Sequence, residues 1–131
     1  PEGSWPLRYD RLVQPVLDRY CVDCHSPAAD VAKRAEPNLT PSASYDSLLN
    51  FADHDLRHRA FERDESLPGV GVARGSRLHT LLTSEGGHAG VTLDAESLYR
   101  LAVWMDTYAH RQGAFSAEQE AELEEFRKQA F

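Results

Sequence analysis

Apolar residues recur every three or four positions along much of this chain, which is the spacing of an amphipathic α-helix. The clearest case is the stretch 94–109, where Leu98, Leu101 and Met105 fall on one face, together with Ala102 and Tyr108. Asp94 at its start is a suitable N-cap, because its side chain can accept a hydrogen bond from the first turn. The pattern therefore predicts a helix over 94–109.

Shorter stretches with the same spacing predict further helices, and segments rich in Pro and Gly predict the loops between them. Pro15 either disturbs the first helix or lies near its true start. No apolar and polar alternation is long enough to indicate a strand, so the predicted fold is all-α, with about four to five helices and long loops. The predicted helices are 9–20, 45–52 with a continuation toward His58, 76–83, 94–109 and 116–130, and the predicted loops are 26–44, 62–75 and 85–90.

The last predicted helix opens with Ser116 and Gln119 at the spacing of a capping box, and Leu123 and Phe126 give it a narrow apolar face. Trp104 and Tyr108, with Leu12 and Tyr20 of the first helix, are expected to form the core between helices.

The chain has 131 residues, of which 41% are apolar, which suits one domain with a modest core. We expect a single domain over 1–131, with its core at 9–110 and an additional helix at 116–130. The first residue is Pro, not Met, so we expect a mature or excised piece of a larger protein. A net charge of −7 argues against a nucleic-acid partner, and no apolar run reaches the roughly 20 residues of a membrane span.

The segment that indicates chemistry is Cys21-Val22-Asp23-Cys24-His25, a C-x-x-C-H motif. Two thiols three residues apart can each bond one of the two vinyl groups of a haem, and the following imidazole is then brought to the iron. The motif predicts one covalent haem c, attached through Cys21 and Cys24, with His25 as an iron ligand.

A redox dithiol and a zinc site are the two other interpretations of the cysteines. A C-x-x-C redox dithiol normally opens a helix in a βαβ setting, whereas this motif follows a helix and no βαβ pattern exists. A zinc site needs four ligands, and His54 with His58 could complete the set, but that leaves His25 without a role. The haem hypothesis accounts for all three motif residues.

The second iron ligand is predicted to be His88, because it lies in the glycine-rich segment Gly86-Gly87-His88-Ala89-Gly90, whose backbone can approach a flat ligand. Met105 and His79 are the rivals. Met105 lies mid-helix on an apolar stripe, where a core role is the ordinary explanation. The remaining histidines, His54, His58 and His110, are expected at the surface.

Ligation by His25 and His88 implies a six-coordinate, low-spin haem with no open position for a substrate, and a lower potential than an axial Met would give. The predicted function is therefore electron transfer and not enzymatic catalysis. The alternative is a haem enzyme or sensor with an open distal iron site. Haem attachment of this kind implies the periplasm or the exterior of a bacterial cell. Arg74, Arg77 and Tyr45 are candidate donors to the haem propionates, with solvated surface positions as the simpler interpretation for the arginines.

Three stretches resemble a known family: residues 9–25, residues 75–82, and Gly87-His88 followed by Val91-x-Leu93 and Leu101-x-x-Trp104-Met105-Asp106. The chain is similar to the monohaem cytochrome c domains of planctomycete-type secreted proteins and of hydrazine-synthase-alpha-like proteins. The resemblance covers most of residues 9–110, and it implies His88 as the distal ligand. It also implies an attached or partner extracytoplasmic oxidoreductase, with a polysaccharide-active copper oxidase as one candidate.

Overall fold

The structure is a computed structural model that describes residues 7–62, 69–114 and 116–130. Within those ranges the fold is mostly helical, and the only β pairing is an isolated antiparallel bridge between His88 and Val91. The expected all-α class is confirmed. The helices are α1 (Tyr9–Leu12), α2 (Gln14–Tyr20), α3 (Ser44–Phe61), α4 (Val72–Gly75), α5 (Arg77–Leu82), α6 (Ala95–Asp106) and α7 (Ala117–Ala130).

The first predicted helix is divided into α1 and α2, as the presence of Pro15 suggested. Pro15 occupies the first turn of α2, where its missing N–H costs least. It cannot donate to the Arg11 carbonyl one turn earlier. Arg100 of α6 replaces that donor, since its Nη2 donates to the Arg11 oxygen at 2.6 Å and its Nε to the Leu12 oxygen at 3.1 Å. The break is therefore also a point of attachment between α1 and α6.

An aromatic cluster holds α1, α3 and α6 together. The Tyr9 ring meets Tyr45 and Trp104 edge-on, each at 5.2 Å between centroids. Trp104 and Leu12 are 1% exposed, which confirms their predicted place in the core, and Tyr20 packs against it partly buried. Tyr108 was expected there too, but it is 59% exposed.

Helix α6 begins where the sequence predicted and ends earlier. The Asp94 carboxylate accepts from the Ser97 N–H at 2.7 Å, and also from the Tyr20 hydroxyl at 3.0 Å, so it links α2 to α6. The predicted end at Ala109 is wrong, because the helix stops at Asp106. The Trp104 indole donates to the His110 carbonyl at 2.9 Å, and this fixes a turn in which Tyr108 has a positive φ of 67°. That turn directs the Tyr108 side chain away from the helix stripe.

Helix α3 is longer than predicted, and it is interrupted. Phe51 has extended backbone angles, and Ala52, Asp53 and His54 follow with φ between 53° and 63°. These left-handed angles are unusual for residues with a Cβ. The interruption separates the half that carries Leu48 and Leu49 from the half that carries Leu56.

The predicted loop 62–75 contains the short helix α4, so that part of the prediction is wrong; Pro68 of the same loop lies outside the described residues. Asp106 caps α4 by accepting from the Ala73 N–H at 2.9 Å.

Helix α7 has the predicted cap, in which the Ser116 hydroxyl accepts from the Gln119 N–H at 3.2 Å. Its expected apolar face is largely open to solvent, with Phe126 65% exposed. The helix is instead attached to the rest of the fold by an ion pair. Arg8 lies 2.8 Å from the buried Glu120 carboxylate. Among the described helices, none has both the length and the apolar content that a bilayer crossing requires.

Replacing Arg100 by Ala should destabilise the fold, because the Arg11 and Leu12 carbonyls lose their side-chain donors. We expect the free energy of unfolding to fall by about 1 to 3 kcal/mol in chemical denaturation. The exposed Arg74→Ala is the matched control and should change little. Equal midpoints for the two variants would contradict this role of Arg100.

Candidate functional site

The C-x-x-C-H motif forms one continuous turn at the end of α2. The Cys21 N–H donates to Leu17 at 2.8 Å, and the N–H groups of Cys24 and His25 both donate to the Cys21 carbonyl, at 3.1 and 2.9 Å. Helix α2 therefore determines where all three motif side chains lie. The placement agrees with the sequence prediction that the motif follows directly from the first helix.

Both cysteines are half-buried free thiols. Burial raises the pKa of the Cys21 thiol to about 11, and the neighbouring Cys24 adds to the rise. Reactive C-x-x-C oxidoreductases lower the pKa of their attacking thiol instead. The environment of Cys21 therefore gives no support to a redox dithiol.

The imidazole of His25 is oriented by a backbone carbonyl twelve residues away. Its Nδ1 lies 2.9 Å from the Pro37 oxygen. Because a carbonyl only accepts, Nδ1 carries the proton and Nε2 keeps its lone pair. Metal-binding histidines usually have this arrangement, in which the hydrogen bond of one nitrogen fixes the tautomer that leaves the other as ligand.

His88 is held in a tight turn between α5 and α6. Its N–H donates to the Val91 carbonyl at 3.0 Å, and the Val91 N–H donates back at 2.8 Å. Gly87 precedes it with a φ of +72°, and a Cβ there would overlap the Val91 carbonyl oxygen. The turn thus needs a glycine beside His88, which is the physical reason behind the glycine-rich pattern noted in the sequence.

The structure brings His25 and His88 together although 63 positions separate them in the sequence. Their ring centroids are 6.0 Å apart, and the ring planes differ by 30°. With about 2.0 Å for a metal–imidazole bond and about 1.2 Å from nitrogen to ring centre, two imidazoles on opposite sides of one metal have centroids about 6.4 Å apart. The observed centroid separation of 6.0 Å is close to that spacing.

A cavity of about 100 Å³, partly open to solvent, lies at these two histidines. Its wall is formed mainly by aliphatic and aromatic side chains from α2, α3, α5 and α6, and Cys21 lines it beside His25. The described lining residues are Leu17, Cys21, His25, Glu36, Pro37, Leu39, Leu48, Phe51, Leu78, Leu81, Leu82, His88, Leu93 and Leu101.

This donor set fits a haem. The cavity offers apolar walls for a flat macrocycle and an imidazole pair for its iron. Cys21 lies at the cavity wall, and Cys24 lies on the same turn of backbone. The residues that would hold the group are thus Cys21, Cys24, His25 and His88.

The rival ligands have other surroundings. Met105 is fully buried, and its sulfur accepts from the Ser76 hydroxyl at 3.4 Å, in keeping with a core role. His79 is half-buried on α5 and is not among the described lining residues of the cavity. His110 is exposed at the turn after α6.

His54 and His58 are also exposed, and their Nδ1 atoms are occupied by Asn50 and Glu62. In the ranges that the structure describes, no three His, Cys, Asp or Glu side chains converge as a metal site would require. The zinc interpretation therefore gains no support.

Tyr45, a candidate donor to a haem propionate, has a different role, since its hydroxyl donates to the Ala109 carbonyl at 2.9 Å. Arg74 and Arg77 are exposed, in keeping with the simpler interpretation. The sequence reasoning missed Pro37 and Phe51. Pro37 acts through its backbone carbonyl, which every residue has, so the sequence could not indicate it. Phe51 reaches the cavity because α3 is interrupted there.

No protein-family model, curated protein or solved structure matches this chain.

Proposed function

We propose that this chain is a monohaem c-type cytochrome domain that transfers electrons. The observation that supports it most directly is the pair His25 and His88, 6.0 Å apart at an apolar cavity. The C-x-x-C-H motif supplies the second support, because it places two thiols and one of these imidazoles on a single turn.

Each residue has a distinct task in this proposal. Cys21 and Cys24 hold the haem covalently, so that it cannot dissociate. His25 would offer Nε2 to the iron, because the Pro37 carbonyl holds Nδ1. His88 would be the second ligand, held by its glycine-dependent turn. The bound haem supplies a one-electron iron couple.

The pair of histidines favours electron transfer over catalysis. If His25 and His88 both bound the iron, no position would be open there for a substrate or a gas. The cavity wall is mainly aliphatic, with Glu36 among its lining residues. Two imidazoles give a lower reduction potential than an imidazole and a thioether, so the proposed domain is a low-potential carrier and not itself an enzyme.

The proposed setting follows from the attachment chemistry and from the family resemblance. We place the domain in the bacterial periplasm or outside the cell, with a partner or attached oxidoreductase as electron donor or acceptor. A polysaccharide-active copper oxidase is one candidate for that role. The net charge of −7 disfavours nucleic acid as a partner.

The covalent attachment is tested by replacing Cys21 and Cys24 together with Ala. We expect a chain that retains no haem after denaturation and that melts without cooperativity, because the bound haem would fill much of the core. Absorbance after denaturation and thermal unfolding by circular dichroism measure the two effects. Asp23→Ala, at an exposed position inside the motif, is the control. A cooperative, native-like melt of the double variant would count against the proposal.

The distal ligand is tested by His88→Ala. Loss of the second imidazole should convert a low-spin optical spectrum into a high-spin one that responds to added cyanide or CO. His79→Ala, which removes a half-buried histidine from α5, should stay low-spin. If His88→Ala remains low-spin, or if the unmodified protein is already high-spin, the distal assignment is wrong and an open-site haem enzyme or sensor becomes the better account.

A further inference from the structure

The carbonyl that orients His25 belongs to a segment without helical support. Pro37 lies between α2 and α3, where no regular hydrogen-bonding ladder fixes the backbone. The 2.9 Å contact between its oxygen and the His25 Nδ1 nevertheless needs a defined carbonyl position. Backbone bonds on either side of Pro37 contribute to it, from the Ala35 N–H to the Cys24 carbonyl at 2.9 Å and from the Leu39 N–H to the His25 carbonyl at 2.8 Å. Two side chains add to them.

Ser47 of α3 binds the backbone carbonyl of Asn38, the residue after Pro37. Its hydroxyl donates to the Asn38 oxygen at 2.7 Å. Asn38 in turn accepts both the N–H and the hydroxyl of Thr40 through its side-chain oxygen, at 3.0 and 2.8 Å. Asn38, which follows Pro37, is thereby attached to the first half of α3.

Gln14 of α2 binds the carbonyl of the following residue, Leu39. Its Nε2 donates to the Leu39 oxygen at 3.2 Å and to the Asp18 carboxylate at 2.8 Å. Its Oε1 accepts from the Ser44 hydroxyl at 2.6 Å, and Ser44 is fully buried. Since the carbonyl of Leu39 and the carboxylate of Asp18 only accept, a flipped amide would lose both of those bonds. Gln14 is itself only 6% exposed.

The same segment returns to the motif through its backbone. The Leu39 N–H donates to the His25 carbonyl at 2.8 Å, so residues 37–39 contact His25 at both its ring and its main chain. Ser47 and Gln14 are the side chains that attach this segment to α3 and α2.

From these contacts we infer that Gln14 and Ser47 are positioning residues for His25: they fix the Pro37 carbonyl against Nδ1 and so keep the reduction potential of the site low. The inference rests on the proposed function. A strong hydrogen bond from Nδ1–H makes the imidazole a more basic ligand, and a more basic ligand favours the oxidised metal. Loosening residues 37–39 weakens that bond and moves the potential upward.

The experiment measures the reduction potential of the haem-loaded protein for Ser47→Ala and Gln14→Met. Both should shift to more positive potential and stay low-spin. In NMR of the reduced protein, the His25 Nδ1–H should exchange with solvent about five- to tenfold faster, the factor that corresponds to one net hydrogen bond. Ser47→Thr keeps the hydroxyl and should restore the original values. Ser42→Ala is a matched control in the same loop, because the exposed Ser42 makes a long hydrogen bond to Thr40, at 3.5 Å, and does not reach residues 37–39 within the part of the chain that the structure describes.

The outcomes separate this inference from the proposed function. Low-spin variants with the potential and exchange rate of the parent protein would overturn the positioning role and leave the cytochrome assignment intact. A parent chain that binds no haem would overturn both. Ser47→Ala removes one oxygen at a partly buried position and is the milder change, so it decides the matter if Gln14→Met does not fold.

Discussion

The close approach of two imidazole rings at an apolar cavity is the constraint on which the rest of this fold depends. They come from a turn at the end of α2 and from a turn between α5 and α6, and their centroids must lie about 6 Å apart to share one metal ion. The His25 turn continues directly from α2, whereas the His88 turn is closed by its own backbone bridge to Val91.

The supports on the two sides differ in kind. The His25 side depends on side-chain hydrogen bonds to carbonyls of residues 37–39, whereas the His88 side depends on a backbone bridge to Val91 that only a glycine at position 87 permits. Helix α6 connects the two sides, since Asp94 at its start binds Tyr20 next to the motif, and Arg100 binds the carbonyls left open before Pro15. A chain of this size has a modest core, to which a haem in the cavity would add apolar surface.

The sequence predicted well the features that follow directly from the identity of one residue. Asp94 and Ser116 cap helices, and Pro15 ends a helical ladder. The predicted glycine role differs in detail, because Gly87 admits the Val91 carbonyl and not a flat ligand. His25 and His88 lie with their ring centroids 6.0 Å apart, and their ligation of one iron stays a prediction.

The features that were missed depend on tertiary contacts with no local signature. Helix α6 ends early because the Trp104 indole finds the His110 carbonyl, and this exposes Tyr108. The interruption of α3 turns Phe51 toward the cavity, and α4 exists because Asp106 caps it from another helix. Pro37 could not be identified because a carbonyl oxygen is common to every residue.

The most direct test of the account is the electron paramagnetic resonance spectrum of the oxidised, haem-loaded protein. If both rings bound one iron with the 30° between their planes that the structure shows, they would donate into the same iron orbital and lift its near-degeneracy with its partner. The account therefore predicts a rhombic low-spin signal with three well-separated g values. A high-spin signal would contradict it, because the iron would then lack one of the two histidines around which the structure is organised.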